Sequence, residues 1–235
     1  MTPLAADTEI VEEVRFASGR LTLEGRLCYP ETAELCGVVV LAGPHPLLGG
    51  DLDNNVVRGL SAGLARRGVA VLAFNYRGVG ASEGASPDVT ADLAEFWTAS
   101  RTGDEAGYAD DFRAAVRMLP VLVGDLPTAL VGYSFGCSVL PAARPDPRWP
   151  LALVAPTLGR HDYMTLAVLP NPVLVVAPTG DFAADAGAVA TWFAALHGPK
   201  CLVRGEWDDH FFRGLEDRLA ETVFAFLRER WEHLA

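Results

Sequence analysis

The chain has 235 residues, of which 50% are hydrophobic and 21% charged, and this composition excludes a mainly disordered protein. Nineteen Lys and Arg residues against 30 Asp and Glu residues give a net charge of −11, which would repel phosphate backbones and anionic lipid surfaces. We therefore expect neither nucleic acid nor a membrane as a partner. Since no linker or repeat separates two cores, we predict a single domain over 1–235.

The N-terminus and the cysteines favour a cytoplasmic protein. Residues 1–16 lack the basic and apolar regions of a signal peptide. The longest apolar stretches, such as PVLVVAP at 172–178, are far shorter than the roughly 20 residues that a membrane span needs. No two of the four cysteines form a CxxC pair, and we expect reduced, mostly buried thiols.

The predicted elements begin with a β-hairpin and continue as alternating strands and helices. Apolar residues alternate over 10–16 and 20–29, on either side of a Ser-Gly turn. Continuous apolar runs and turn signals predict strands over 37–41, 69–74, 128–131, 151–154, 173–177 and 200–204. Helical spacing predicts helices over 51–67, 110–119, 134–143, 189–196 and 211–231, the third of them shortened by Pro141. This order predicts an α/β fold with a mostly parallel, doubly wound sheet, in which ligands lie beyond the carboxyl ends of the strands.

A G-x-S-x-G motif at 132–136 is the strongest candidate for chemistry. An apolar strand (TALV) leads into GYSFG and a helical segment leads out, which is the strand–turn–helix setting of a nucleophile elbow. The two small glycines allow a sharp turn that raises the hydroxyl of Ser134 above the edge of the sheet. The alternative is an ordinary strand–helix turn in which Ser134 caps the helix.

A serine hydroxyl attacks only when a base is within reach, and the base needs an acid to orient it. In the chain order typical of this motif, the serine is followed by the acid and then by a histidine. Asp181 and His210 each follow a predicted strand, so both should lie at the edge of the sheet where Ser134 emerges. Asp181 is favoured as the acid, and Asp185 remains the rival.

The three residues DDH at 208–210 also resemble part of a metal site. No second histidine lies at ligand spacing from His210, so we expect no metal. The glycines of RGVGASEG do not match the spacing of a dinucleotide-binding loop, so we expect no nucleotide cofactor either.

An acyl-transfer site also needs N–H donors for the tetrahedral oxyanion. One should be the backbone N–H of Phe135, the residue after the serine, and the other should come from the loop PHPLLGG. Because Pro46 in that loop has no N–H, Leu47 is the better candidate. His45 in the same loop either lines the site or holds the loop.

The segments PHPLLGG, DNNVV, FNYRGVGASEG, GYSFG and DDHFF occur in the order found in small α/β-hydrolases. The chain resembles the compact dienelactone-hydrolase-like and acyl-peptidase-like hydrolases of bacteria, over most of its length from Val38 onward. The resemblance implies an α/β-hydrolase fold with a nucleophile at Ser134, an acid at Asp181 and a base at His210. It also places the oxyanion donors at Leu47 and Phe135.

The chain departs from this family in its acid loop and in residues 85–108. The family usually has a glycine three residues before the acid, where this chain has Pro178, and this keeps Asp185 open. Residues 85–108 are longer than a compact member needs and carry Leu93, Phe96 and Trp97 at helical spacing. They are either a helix packed on the core or a small lid whose aromatic rings cover the substrate.

We therefore expect a serine hydrolase that cleaves a small or medium carboxylic ester or thioester through an acyl-enzyme on Ser134, without a cofactor. The short interval between Ser134 and Asp181 leaves no room for a large cap domain. Tyr133, beside the nucleophile, and His161, between two buried strands, are further candidates for substrate contact, together with His45. The same residues would serve a cyclase, a transacylase or a C–C lyase, and the fold also occurs in non-catalytic binding proteins. We expect a monomer or a homodimer.

Overall fold

The computed structural model describes residues 8–89, 105–205 and 207–233 as one eight-stranded sheet with helices on both faces. The strands are β1 Glu9–Ser18, β2 Leu21–Pro30, β3 Gly37–Ala42, β4 Val69–Phe74, β5 Thr128–Tyr133, β6 Leu151–Val154, β7 Val173–Ala177 and β8 Lys200–Arg204. The helices in these ranges are α1 Asn55–Ala65, α2 Glu105–Val123, α3 Gly136–Val139, α4 Met164–Ala167, α5 Ala186–Ala195 and α6 Glu216–Glu232.

The strand order in the sheet is β1-β2-β4-β3-β5-β6-β7-β8. β1 and β2 form an antiparallel hairpin, and β2 is antiparallel to β4, whereas all the remaining pairs are parallel. The chain builds the sheet in one direction from β3 to β4 and in the other from β5 to β8. The adjacent carboxyl ends of β3 and β5 therefore form a topological switch point, which is where ligands bind in such sheets.

The central strands are apolar on both faces because helices cover both faces. Every residue of β3, β4, β6 and β7 is buried. One face packs against α2, α3, α4 and α5, and the other against α1 and α6. Gly59 and Gly63 let α1 approach α6, since a Cβ atom on either would lie within 2.4 Å of a side-chain atom of α6. The predicted α/β-hydrolase fold, with its N-terminal hairpin and without a large cap domain in the described residues, is confirmed.

Several helix boundaries differ from the prediction. The second helix starts at Glu105 rather than Asp110, because Tyr108 packs its ring against the core and adds another turn. The final helix starts at Glu216 rather than Phe211, because Phe212 has a φ of 52°, which a right-handed helix excludes. Pro141 does shorten the helix after the motif, which passes into a 3-10 turn at Leu140–Ala143.

Only part of the possible lid at 85–108 can be placed. Residues 105–108 form the first turn of α2. Residues 90–104, with Phe96 and Trp97, lie outside the described residues.

The thiols are less buried than the sequence predicted. All four cysteines are unpaired, but only Cys28 and Cys137 are buried, whereas Cys36 and Cys201 are exposed. Burial raises the pKa of Cys28 to about 11, so this thiol stays protonated at neutral pH. In the described part of the chain, no helix combines the length and the apolar character needed to cross a bilayer.

A buried carboxylate connects α2 to the hairpin and to the loop after β4. Asp111 is fully buried, and its Oδ1 atom accepts hydrogen bonds from Ser18 Oγ at 2.7 Å and from Arg77 Nη2 at 2.8 Å. Its Oδ2 atom accepts hydrogen bonds from the backbone N–H and the Nε–H of Arg77, at 2.9 and 3.1 Å. The carboxylate is thus fully hydrogen-bonded, as a buried charge must be.

We expect Asp111→Ala to lower the free energy of unfolding by roughly 3 kcal/mol or more, because it removes the buried carboxylate that accepts hydrogen bonds from Ser18 and from the partly buried guanidinium of Arg77. Urea denaturation would measure the loss. Asp217→Ala is the control, because Asp217 forms an exposed ion pair with Arg67 that should contribute about 1 kcal/mol or less. Equal losses in the two variants would contradict the role of Asp111.

Candidate active site

Ser134 lies in a strained turn directly after β5. Its φ of 56° is in the left-handed region, which a non-glycine residue occupies at a cost of roughly 1–3 kcal/mol. The Ser134 N–H donates to the carbonyl of Val154 at 2.8 Å, and the Ser134 carbonyl accepts the N–H of Cys137 at 3.1 Å. These bonds hold the turn so that the side chain leaves the carboxyl end of the sheet. The geometry is that of the predicted nucleophile elbow rather than an ordinary cap, because no side chain caps α3.

The two glycines of the motif are required by close backbone contacts. A Cβ atom at Gly132 would lie 2.6 Å from the backbone of Cys137 in α3. A Cβ atom at Gly136 would lie 2.1 Å from the carbonyl oxygen of Ala42 at the end of β3. Any larger residue would therefore push α3 away from the sheet and relax the turn that presents Ser134.

Ser134, His210 and Asp181 form one hydrogen-bonded chain. His210 Nε2 lies 3.0 Å from Ser134 Oγ, and His210 Nδ1 lies 2.9 Å from Asp181 Oδ1. The side chains of His210 and Asp181 are 5% and 4% exposed. Because an ionised carboxylate only accepts hydrogen bonds, the ring proton of neutral His210 belongs on Nδ1, which leaves the Nε2 lone pair for the serine proton. This arrangement activates a hydroxyl for nucleophilic attack.

The loop after β8 is held in place from both sides of His210. The Tyr133 hydroxyl donates to the carbonyl oxygen of His210 at 3.1 Å. Burial raises the pKa of Tyr133, so the phenol remains a donor at neutral pH. Asp209 Oδ1 accepts the backbone N–H groups of Phe211 and Phe212 and forms the turn that follows the histidine. Asp209 therefore has a structural role, and among the described residues no three His, Cys, Asp or Glu side chains are grouped to hold a metal ion.

The structure separates the two candidate acids. Asp181 reaches His210, and its Oδ1 atom also accepts the N–H of Ala183 at 2.7 Å. Asp185 instead is the N-cap residue of α5, where its Oδ1 atom accepts the N–H groups of Gly187 and Ala188.

A glycine in the acid loop lets that loop approach the histidine loop. A Cβ atom at Gly180 would lie 2.2 Å from the carbonyl oxygen of Asp208. Both the N–H and the hydroxyl of Thr179 donate to the carbonyl of Trp207, at 3.0 and 3.1 Å. This chain has Pro178 where the acid loop of the family usually has a glycine. Its glycine lies two residues later, at Gly180, and makes the close contact with the histidine loop.

The two predicted oxyanion donors have different surroundings. Phe135 directly precedes α3, and within the described residues its N–H has no backbone acceptor, as is normal for the first amides of a helix. The N–H of Leu47 donates to His45 Nδ1 at 3.2 Å, in a 3-10 turn formed by Pro46–Leu48. His45 both holds this loop and lines the cavity beside Ser134, so the two roles left open for it are combined.

His161 lies in the wall of the same cavity. Its Nδ1 atom is 2.8 Å from Thr157 Oγ1, its Nε2 atom is 3.6 Å from Glu105 Oε1, and its ring centroid is 5.1 Å from that of Phe135. The Thr157 N–H donates in turn to the hydroxyl of Tyr163. His161 is thus held by contacts that the sequence did not reveal.

The cavity has a volume of about 70 Å³. Its lining includes the predicted residues Ser134, Tyr133, Phe135, His45, His161 and His210. It also includes residues that sequence reasoning missed: Pro44, Leu48, Asn54, Thr157, Arg160, Phe182, Ala183 and Phe211. Phe182 and Phe211 directly follow the acid and the histidine in the chain. These positions in the sequence were the signal from which both residues could have been predicted to lie near the site.

Comparisons with known proteins show which chains and folds this protein is similar to. No protein-family model matches the chain. An uncharacterized protein of Rickettsia prowazekii is 26% identical over 219 residues, covering 87% of this chain and 84% of that protein.

Solved structures superpose over nearly the whole chain. An α/β serine hydrolase homologue from Coxiella burnetii has a TM-score of 0.75 at 25% identity, covering 91% of this chain and 96% of its own. A dienelactone hydrolase from Anabaena variabilis has a TM-score of 0.69 at 17% identity, covering 97% and 99% of the two chains. The chain is therefore an α/β-hydrolase of the serine hydrolase superfamily, and it shares its fold with dienelactone hydrolases.

Proposed function

We propose that the protein is a serine esterase or thioesterase that cleaves a small or medium acyl substrate through an acyl-enzyme on Ser134. The observation that carries this proposal is the continuous hydrogen-bonded chain from Ser134 through His210 to Asp181, at 3.0 and 2.9 Å. All three side chains are almost completely removed from solvent, which strengthens their interactions.

The first half of the reaction forms the acyl-enzyme. Ser134 Oγ attacks the substrate carbonyl carbon as its proton passes to His210 Nε2, and Asp181 stabilises the resulting imidazolium. The tetrahedral intermediate then collapses. The bond to the leaving oxygen or sulfur breaks, and His210 returns the proton to that atom. Water, activated by the same imidazole, releases the acid in the second half and regenerates the hydroxyl of Ser134.

The backbone N–H groups of Phe135 and Leu47 are the proposed donors to the oxyanion. The N–H of Phe135, on the residue after the nucleophile, has no backbone acceptor among the described residues, which supports its role. The N–H of Leu47 would exchange its acceptor, from His45 Nδ1 to the oxyanion, as negative charge develops. Because a charged oxygen accepts a stronger hydrogen bond than a neutral imidazole, this exchange favours the transition state over the resting enzyme.

The size and lining of the cavity support a small substrate. Its volume of about 70 Å³ leaves space for a short acyl group beside Ser134. His45, His161 and Tyr133 are proposed substrate contacts because they line this space together with the nucleophile.

We expect Ser134→Ala to lower kcat by about 10⁴-fold or more while the protein stays folded, since it removes the nucleophile only. A fluorophosphonate probe should label wild-type protein at Ser134 and fail to label the variant, as read by intact mass.

Ser138→Ala is the matched control, since Ser138 lies one helical turn later and donates to the carbonyl of Phe135. Its labelling should be unchanged. An unlabelled wild-type protein with normal stability would refute the proposal and favour a non-catalytic binding protein.

Asp181→Asn should reduce kcat by roughly 10⁴-fold, because an amide cannot hold the histidine in the required tautomer. Asp185→Ala should leave kcat nearly unchanged and cost about 1 kcal/mol of stability through loss of the N-cap of α5. Kinetics and thermal unfolding of both variants would measure this contrast. A greater loss of activity in Asp185→Ala would show that the acid has been assigned to the wrong residue.

Analysis of the product formed from a short acyl ester would test whether water is the acyl acceptor. The mass of the product, measured in the same assay, should correspond to addition of one water. A product without that added mass would indicate cyclisation or transfer instead of hydrolysis.

A further inference from the structure

An exposed phenylalanine, Phe182, and a half-buried one, Phe211, form an apolar surface next to the catalytic histidine. Phe182 is 62% exposed, although its ring centroid lies only 4.9 Å from that of His210. The ring of Phe211 lies 5.9 Å from that of Phe182 and is nearly parallel to it, with 29° between the planes. We call Phe182 and Phe211 the aromatic rim.

The aromatic rim is continuous with the cavity that contains Ser134. Both rings line that cavity, and so does Leu48, which is 40% exposed. The guanidinium of Arg213 covers Phe211 at 4.6 Å from the ring centroid. A single exposed apolar side chain is normal in a soluble protein, but stacked rings at the mouth of a reactive cavity form a surface that a ligand can cover.

The position of the aromatic rim relative to His210 determines which part of a substrate it meets. His210 returns the proton to the leaving group, so the leaving oxygen or sulfur must lie near His210 Nε2 when the acyl carbon is bonded to Ser134. Phe182 and Phe211 both lie against the His210 ring, at 4.9 and 5.6 Å between centroids. The rest of the leaving group therefore extends over the aromatic rim.

The cavity wall around Phe135 has a different character. His161 and Thr157 contribute polar atoms there, and the ring of His161 contacts Phe135 rather than His210. Phe135 is the proposed oxyanion donor, so this wall belongs to the carbonyl side of the substrate. The cavity is thus polar on the carbonyl side and aromatic on the leaving-group side.

We propose that the leaving group is an aryl or arylalkyl alcohol or thiol, whose ring stacks on Phe182. This inference rests on the proposed esterase or thioesterase function and specifies its substrate class. A flat ring is favoured over a saturated ring of the same size, because aromatic rings 4.5–7 Å apart gain stacking in addition to the burial of apolar area. Phe182 is then a specificity-determining residue.

The test compares 2-phenylethyl acetate with 2-cyclohexylethyl acetate, two esters of similar size and leaving-group acidity that form the same acetyl-enzyme. Wild-type kcat/KM should favour the phenyl ester by roughly 3- to 10-fold. Phe182→Ala and Phe182→Leu should both abolish most of this preference. The decay of the acetyl-enzyme, followed by quenched-flow mass spectrometry, should be unchanged because the leaving group has departed by then.

Leu48→Ala is the matched control, since Leu48 lines the same cavity but has no ring. It should lower kcat/KM for both esters by similar factors and keep the preference. The proposal is wrong if wild-type protein does not distinguish the esters. It is also wrong if the Phe182 variants slow both esters equally and slow acetyl-enzyme decay, because Phe182 would then only shield His210. If neither ester is cleaved and Ser134 is not labelled by the fluorophosphonate probe, the proposed function fails with it.

Discussion

The strained backbone at Ser134 is the feature on which the rest of the site depends. A residue with φ of 56° is held there because Gly132 and Gly136 let the turn pack against α3 and the end of β3. The parallel sheet supplies the rigidity, since β5 lies between β3 and β6 with every residue from Ala129 to Tyr133 buried. The cost of roughly 1–3 kcal/mol is small compared with the packing that would be lost if the turn relaxed.

The histidine is held in place by contacts that come from two other parts of the chain. Tyr133, next to Ser134, donates a hydrogen bond to the backbone of His210, and Asp181 contacts its ring. Phe182 covers the ring on the solvent side. The loops after β5, β7 and β8 are thereby fixed relative to one another, so the distance from His210 Nε2 to Ser134 Oγ follows from the order of strands in the sheet.

The same arrangement creates two chemically different walls around one reacting atom. Buried polar groups at Thr157 and His161 are hydrogen-bonded to each other and keep their wall rigid. The aromatic wall has no such bonds and is more exposed, so it can accept ligands by burial and stacking. Specificity for the two halves of a substrate can then be tuned separately, because the residues involved lie on different loops.

The amino-acid sequence by itself determined the order and type of the elements and the place of the candidate nucleophile. Buried parallel strands appear as continuous apolar runs, and a glycine-flanked serine between a strand and a helix marks an elbow, so both signals are local. Helix ends were less well predicted: Phe212 adopts a left-handed conformation that its residue type does not signal, and Tyr108 extends α2 through contacts with distant residues.

Only the tertiary structure placed Asp181, and not Asp185, within hydrogen-bond distance of His210 and brought Phe182 and Phe211 to the mouth of the cavity. Both aspartates follow the same strand within a few residues, and nothing in their local sequence tells which one faces His210. The contact of Gly180 with the loop of Asp208 orients Asp181. Asp185 instead accepts a hydrogen bond from the backbone at the start of α5. The direction of a loop side chain depends on contacts between segments far apart in the chain, and residue periodicity carries no information about them.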